Sequence, residues 1–422
     1  MSLSQLDRRL RDQMELFLGN LSGLPKPSRR FVREALYGIT TRKSVRLSEI
    51  ARSLHESIAL IKTENRLSRQ AARKGLDEIL HNFVLSRSAP RIGKNTLLIV
   101  DPSDLAKKYG EKMEHIARVR DGSGGGYANG YWLCQVIAVE CGGQEITPLV
   151  NHLWSQAAPG HLSENKEVLS CIDKVAAHAG ENGIYVIDRG GDRLSIMREL
   201  LLQERRFLIR LVGNRHLIHR GEAVLAEELA ATCPQKYIDH VIKQRPDGTE
   251  RRVEFRYGMR RVFLPAFPER ELRLVVLHGF GEKPLMILTT EPLSDSRKSL
   301  WWAIEAYLTR WRIEDTLRFA KQSYALEDVR VLGYQSLKNM MALALVAMSF
   351  AMLWLGQRDK LAVLVRHALK AGKRLFGIPD FRYYALADGM AEILSKRTKE
   401  PFAKMVTLTN LGQMDILEIF DG

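Results

Sequence analysis

The sequence predicts an α/β protein with a mixed-sheet core, a β-rich insertion within it, and helical regions at both ends. Three observations carry this. Two apolar runs, Leu97-Leu98-Ile99-Val100 and Ile184-Tyr185-Val186-Ile187, read as short buried strands that end in acids, Asp101 and Asp188. Six further strand-like runs crowd the interval between Arg206 and Glu291. Helical patterning dominates before residue 90 and beyond Gly356.

Residues 1–90 are helical in pattern and basic, and Pro25-Lys26-Pro27 separates a first helix from a second that opens near Ser28. The stretches LSEIARSL and ESIALIKTENRLSRQAARKGLDEIL give short helices that suit a helix-turn-helix-like DNA module. Arg29, Arg30, Arg33, Arg42, Lys43, Arg46, Arg52, Lys62, Arg66 and Arg69 would then supply phosphate contacts. A helical bundle that only supports folding fits the same pattern.

From about Asn95 strands take over. LLIVD is followed by a polar loop, a hairpin around Asp121-Gly122-Ser123-Gly124-Gly125-Gly126, its second arm YWLCQVIAVE, and a third strand, ITPLVNHLWS. A helix from Ser163 to Ala179, capped at Ser163, leads to the strand that ends at Asp188. Three strands, helix, strand, helix is the order a ribonuclease-H-like fold requires. The glycine run is no phosphate loop, because it sits between strands and no G-x-x-x-x-G-K-[ST] follows; a flexible hairpin turn fits better, and a basic tip that touches DNA stays open.

The core is expected over 91–214 and 291–356, interrupted by a β-rich insertion at 215–290 that holds YIDHVIKQ, RRVEFRYG, RRVFLPAF and LRLVVLHGF. Its arginines Arg245, Arg251, Arg252, Arg256, Arg260 and Arg261 fit DNA contact, although strand edges also carry charge simply to resist aggregation. Met340 to Leu355 is almost continuously apolar but short of the roughly 20 residues that span a bilayer, so a buried helix is expected and no membrane. Residues 357–422 form a helical C-terminal region with the basic amphipathic stretch KLAVLVRHALKAGKRLF.

Composition bounds the partners. With 64 Lys+Arg against 49 Asp+Glu, the formal charge is +15 and the pI about 9.7, which attracts polyanions in a salt-dependent way. Cys134, Cys141, Cys171 and Cys233 form no C-x-x-C pair and read as free thiols of a reducing cytoplasm. MSLSQLDRRLRDQ lacks the apolar core of a secretory signal, so a cytoplasmic location is expected.

The chemistry-bearing segment is YLTRWRIEDTLRFAK. Tyr307, Arg310, Glu314 and Lys321 are spaced by three, four and seven, which places them on one face of a single helix. A carboxylate flanked by cations and a phenol suits a phosphodiester. An amphipathic helix with a solvated charged face fits the spacing as well. Together with Asp101 and Asp188, however, Glu314 completes the carboxylate set of two-metal phosphoryl transfer. Asp104, Asp121 and Asp192 lie near the same strand ends as rival ligands; strand-tip position favours Asp101 over Asp104, and helix capping is the default role of Asp192.

These residues resemble the bacterial insertion-sequence-4 type DDE transposases, whose Y-x2-R-x3-E-x6-K signature is matched by Tyr307, Arg310, Glu314 and Lys321 without departure. VIDRGGDRLSIMRELLLQERRFLIRL, MILTTEPL and ALEDVRVLGYQSL are similar to the family's flanking patterns, so the likeness runs from about Asp101 to about Met352. The resemblance implies a ribonuclease-H-like core and a catalytic, metal-holding triad of Asp101, Asp188 and Glu314. It implies two divalent ions, Mg2+ with Mn2+ able to substitute, and phosphate contacts from Tyr307, Arg310, Lys321, Arg189 and Arg318. The implied reaction is cut-and-paste transposition of double-stranded DNA: cleavage at the element's ends, a hairpin intermediate, then joining to target DNA by the 3′-OH. A homodimer on paired ends would use the C-terminal region. An aromatic wedge of the family cannot be aligned here, so Trp301 and Trp302 stay unassigned. Two alternatives remain: a decayed transposase that acts as a DNA-binding repressor, and a stand-alone nuclease of the same fold.

Overall fold

The computed structural model describes residues 2–19, 21, 23–107, 110–122, 125–244, 250–279, 281–358, 361–372, 381–396 and 402. Arg245, Ser123, Gly124 and the ends of the KLAVLVRHALKAGKRLF stretch lie outside them, as does the side chain of Arg251.

Five helices come first: α1 (Leu3–Leu18), α2 (Lys26–Arg42), α3 (Leu47–Ser53), α4 (Leu60–Ala71) and α5 (Leu76–Ser88). α1 opens with a reciprocal cap, in which Gln5 N donates to Ser2 Oγ at 3.3 Å and Ser2 N donates to Gln5 Oε1 at 2.8 Å. It buries Leu6, Leu10, Met14 and Phe17, the one-face spacing of an amphipathic helix. α2 begins two residues before the expected Ser28, because Pro27 sits in its first turn, where no N–H is needed.

The sheet follows: β1 (Leu97–Ala106), β2 (Ala117–Arg120), β3 (Tyr127–Val139), β4 (Thr147–Trp154), α6 (Glu164–Ala179), β5 (Ile184–Ile187), α7 (Leu194–Leu202) and β6 (Phe207–Arg210). β3 lies antiparallel to β1 and β4, while β5 lies parallel to β1 and β6. These are the order and directions of a ribonuclease-H-like core. The described glycines of the run, Gly122, Gly125 and Gly126, lie between β2 and β3, where Asp121 N donates to Gly126 O at 2.9 Å. Alternation along β1 sends Leu97 and Ile99 into one apolar core, shared with the N-terminal helices, and Leu98 and Val100 into the other, shared with α6 and α7.

Beyond β6 come β7 (His216–His219), β8 (Glu222–Leu225), α8 (Ala226–Ala231), β9 (Tyr237–Gln244), β10 (Glu250–Leu264), β11 (Phe267–His278) and β12 (Leu285–Thr289). RRVEFRYG and RRVFLPAF, read as two runs in the sequence, are one 15-residue strand, β10. β12 pairs with both β6 and β11, so the strands of this interval extend the core sheet to twelve strands.

The remaining helices are α9 (Arg297–Thr309), α10 (Arg312–Ser323), α11 (Tyr334–Ser349), continued by a π-helical segment Phe350–Leu355, α12 (Ala362–Ala371) and α13 (Tyr383–Ser395). The single helix expected over Tyr307–Lys321 is two. Backbone bonds at the junction switch to three-residue spacing, with Arg310 N donating to Tyr307 O and Trp311 N to Leu308 O, which tightens the turn and re-aims the side chains beyond it. The apolar segment also departs from expectation in length. Helix Tyr334–Leu355 has 22 residues, long and apolar enough to cross a membrane, yet it is almost wholly buried in the protein and acts as a core helix. Asn339 fastens it to the N-terminal helices: Nδ2 donates to Ala71 O and Arg73 O, both at 2.7 Å, and Oδ1 accepts from Asp77 N at 2.9 Å.

Candidate active site

Strand register builds the site. β1 and β5 pair from Leu97↔Ile184 to Val100↔Ile187, and β5 pairs with β6 up to Ile187↔Ile209. The next residue on each strand is Asp101, Asp188 and Arg210, so three charged side chains stand side by side just past the last parallel pairings of three adjacent strands. Asp101 is not at a strand tip as expected: β1 runs on along β3, with Asp101 opposite Gln135, and only its parallel neighbour stops. Asp188 does leave its strand, into the tight turn Arg189–Gly191 closed by Gly191 N donating to Asp188 O at 2.7 Å. Gly191 is needed there because a Cβ would stand 2.7 Å from Ile187 Cγ2.

The α9–α10 junction supplies the other wall. Buried Tyr307 donates its hydroxyl to Asp188 Oδ1 at 3.0 Å. Arg310, also buried, donates from Nη2 to Glu314 Oε1 at 3.0 Å and lies 3.9 Å from Asp188 Oδ2, so its guanidinium bridges the two acids. Its Nε is buried with no hydrogen-bond partner among the described residues. Arg210 Nη1 stands 3.9 Å from Asp188 Oδ1. The sequence reading missed Arg210, although its signal is the one that found the acids: an apolar run, Phe207-Leu208-Ile209, followed by a charge.

The electrostatics of the two aspartates differ. Burial pushes the Asp101 carboxyl up to about 7; Arg310 opposes this, while the nearby charges of Asp188 and Glu314 add to it. Burial also works against Asp188, but the Arg189 backbone N–H, Arg310, the Tyr307 hydroxyl and Arg210 outweigh it and hold that carboxyl below its ordinary value. Burial and the Asp188 charge both raise Tyr307, so the phenol keeps its proton and remains a donor.

Asp101, Asp188, Glu314, Tyr307 and Arg310 therefore come together. Lys321 does not join them: its Nζ is 2.9 Å from Glu327 Oε1 and 3.8 Å from Asp104 Oδ2. Asp104 also accepts from Gly122 N at 3.2 Å, which makes it a hairpin anchor. Arg189 is exposed beside Asp188, and exposed Arg318 pairs with Asp315 at 3.3 Å. Asp192 caps no helix. It accepts from Val212 N at 2.7 Å and pairs with Arg215, tying the loop after β6 to the turn after β5. Trp301 packs near Tyr257, with centroids 5.9 Å apart.

Three carboxylates offer only hard oxygen donors, a set whose chemistry fits a divalent ion such as Mg2+. As the side chains stand, no three His, Cys, Asp or Glu groups among the described residues are close enough to hold one, and between Asp188 and Glu314 the Arg310 guanidinium fills that place.

Most of the basic residues expected to contact DNA in the N-terminal region are engaged internally. Arg33 pairs with Glu15, Arg42 and Arg52 with Glu49, Lys43 with Asp388, and Arg46 with Asp328.

A family model of the transposase DDE domain matches residues 93–350. No curated protein matches the chain. Among solved structures, a piggyBac transposase in its synaptic complex with hairpin DNA is similar over 98% of this chain and 84% of that one, at 10% identity and a TM-score of 0.42.

Proposed function

Because the chain belongs to the transposase DDE-domain family, we propose that it is a cut-and-paste transposase of the insertion-sequence-4 type, with Asp101, Asp188 and Glu314 as its catalytic carboxylates. The observation that carries this is the convergence of strand register and helix junction: Asp101 and Asp188 on neighbouring strands, with Glu314 drawn toward them through Arg310.

Transposases of this family generally use divalent metal ions. Held by Asp101, Asp188 and Glu314, two Mg2+ ions, or Mn2+ in their place, would activate the attacking water and stabilise the leaving 3′-oxygen. The chain's own groups do the rest. Tyr307 fixes the orientation of Asp188 and, behind the Arg189 N–H and Arg310, adds to the groups that hold its carboxyl low. Arg310, whose Nε has no hydrogen-bond partner among the described residues, would offer its guanidinium to a phosphate oxygen. Arg210 and Arg189 add positive charge beside the same acid, and Arg318 and Lys321 serve phosphates farther along α10. Water attacks phosphorus and the P–O3′ bond breaks, O3′ taking up a proton; the freed 3′-OH attacks the opposite strand, expelling the flanking strand's 3′-oxygen to close a hairpin, and a second water opens the hairpin and restores the 3′-OH, which then attacks target DNA.

In this reading residues 1–90 bind DNA, 91–214 and 291–356 form the catalytic core, and 215–290 is the insertion. Residues 357–422 contribute to a dimer on paired ends, and the protein works in the cytoplasm. The test is excision from a donor plasmid that carries the gene with its native flanking DNA. Excision by the wild type and not by Asp188→Ala supports the reading; excision by both removes Asp188 from the chemistry.

A further inference from the structure

Among the N-terminal helices two acids, Glu34 and Glu56, are neutralised from inside. Glu34 is bound by Arg30 Nε at 2.7 Å and Arg66 Nη1 at 2.6 Å. Glu56 is bound by Arg30 Nη2 at 2.6 Å, Arg66 Nη2 at 3.0 Å and Thr63 Oγ1 at 2.6 Å. This network lies under α4, which buries Thr63, Leu67 and Ala71. The opposite face is built differently. Ile61, Lys62, Asn65, Ser68 and Arg69 recur at one, three and four residues and cover an arc of about 120°. All five are exposed, Ile61 by 59%. The side chains of Lys62, Asn65 and Ser68 make no hydrogen bond or ion pair among the described residues, and Arg69 only reaches its own helix, Nε to Asn65 O at 3.3 Å.

The element before α4 completes the geometry. α3 buries Ile50 and Ala51, and a turn follows in which His55 takes a left-handed conformation, φ 47°. A short helix, a turn and a longer helix packed on the first is the arrangement in which the second helix enters the major groove of DNA. The chemistry of the exposed face matches that groove. An asparagine can bind adenine at N6 and N7 together, and an aliphatic side chain meets the thymine methyl. Unpaired lysine and arginine, with serine, suit the flanking phosphates.

We propose that α4 is the base-reading helix of this chain: Asn65 and Ile61 read base edges in the major groove of double-stranded DNA, while Lys62, Ser68 and Arg69 hold the backbone on either side. The inference rests on the DNA-processing reading for its ligand, but it concerns a surface made of other residues.

The full-length chain is used to select from a pool of double-stranded DNA with a randomised central segment, and its affinity for the selected sequence is then measured. The wild type is expected to select a defined motif. Asn65→Ala and Asn65→Asp are expected to lose the preference at one adenine position and to bind the motif roughly 5- to 150-fold more weakly. Ile61→Ala relaxes an adjacent thymine position. Lys62→Ala weakens binding to all sequences alike and lowers the slope of log affinity against log salt by about 1. All three positions are exposed, so thermal unfolding midpoints should stay at the wild-type value. A wild type that selects no motif overturns the proposal, as do Asn65 and Ile61 variants that keep the wild-type motif at wild-type affinity. A chain that selects an α4-dependent motif but cuts no DNA keeps this inference and removes the catalytic one, so the two failures are distinct.

Discussion

The Tyr307 hydroxyl donates to Asp188 Oδ1 at 3.0 Å, and this bond joins a buried helix residue to the acid at the end of a central parallel strand. Asp188 is partly exposed, so the bond contributes about 1 kcal/mol to stability. Tyr307→Phe keeps the ring and removes the donor. Chemical denaturation should register that loss, and DNA cleavage should slow about tenfold. Wild-type values of both would mean that the phenol only fills space.

Asp101 should make the metal-free protein sensitive to neutral pH. Its folded value, about 7, lies above the ordinary 3.8, so the folded state binds an extra proton between those values. That stabilisation is complete below about pH 4 and is lost as pH rises through 7. Asp101→Asn cannot ionise, so at pH 8 without metal it should be more stable than wild type by about 2–4 kcal/mol. Added Mg2+ should stabilise the wild type and leave the variant unchanged. Urea unfolding with and without chelator measures both effects.

His81 gives the opposite sign. It is fully buried; as a neutral ring its Nδ1–H donates to Asp77 O at 2.8 Å and its Nε2 accepts from Asn151 N at 3.3 Å. Burial lowers its value to about 4, and Lys174 and His152 act in the same direction. Stability is intact above the ordinary 6.5 and falls toward pH 4, by about 3 kcal/mol. Imidazole titration by NMR should find His81 neutral at pH 5; a midpoint near 6.5 would contradict its burial.

Asn339 makes three bonds to the backbone of the α4–α5 segment from inside α11. Asn339→Leu leaves a buried carbonyl, a part-buried one and a buried N–H without this partner, at a cost of about 3 kcal/mol. Phe17 lies 5.6 Å from Phe350 and 5.5 Å from Trp354 between ring centroids, so residues 1–90 made alone would expose this apolar face. Limited proteolysis should degrade that fragment quickly; a resistant fragment would mean that the region folds by itself.

Local signals were legible in the sequence and pairings were not. Apolar runs ending in acids located Asp101 and Asp188, and the cap at Ser163 located α6, because burial and capping depend on near neighbours. That β1 outruns β5 depends on β3, thirty residues away, so Asp101 was read as a strand tip. Spacing alone put Lys321 beside Glu314; the tightened turn at Arg310–Trp311 and the acids Glu327 and Asp104 place it elsewhere. Arg210 escaped notice because only acids were sought at strand ends. Asp192 looked like a cap because Val212 and Arg215, its partners, are distant in sequence.

The most direct test is cleavage of labelled double-stranded DNA from the element's own ends, by the wild type and by Asp101→Ala, Asp188→Ala and Glu314→Ala, with and without Mg2+. The three carboxylates are predicted to act as one centre: the wild type cuts only with the cation, and each variant loses at least about 100-fold in rate. Cutting at the wild-type rate by any one of the three, or by the wild type in chelator, would contradict it.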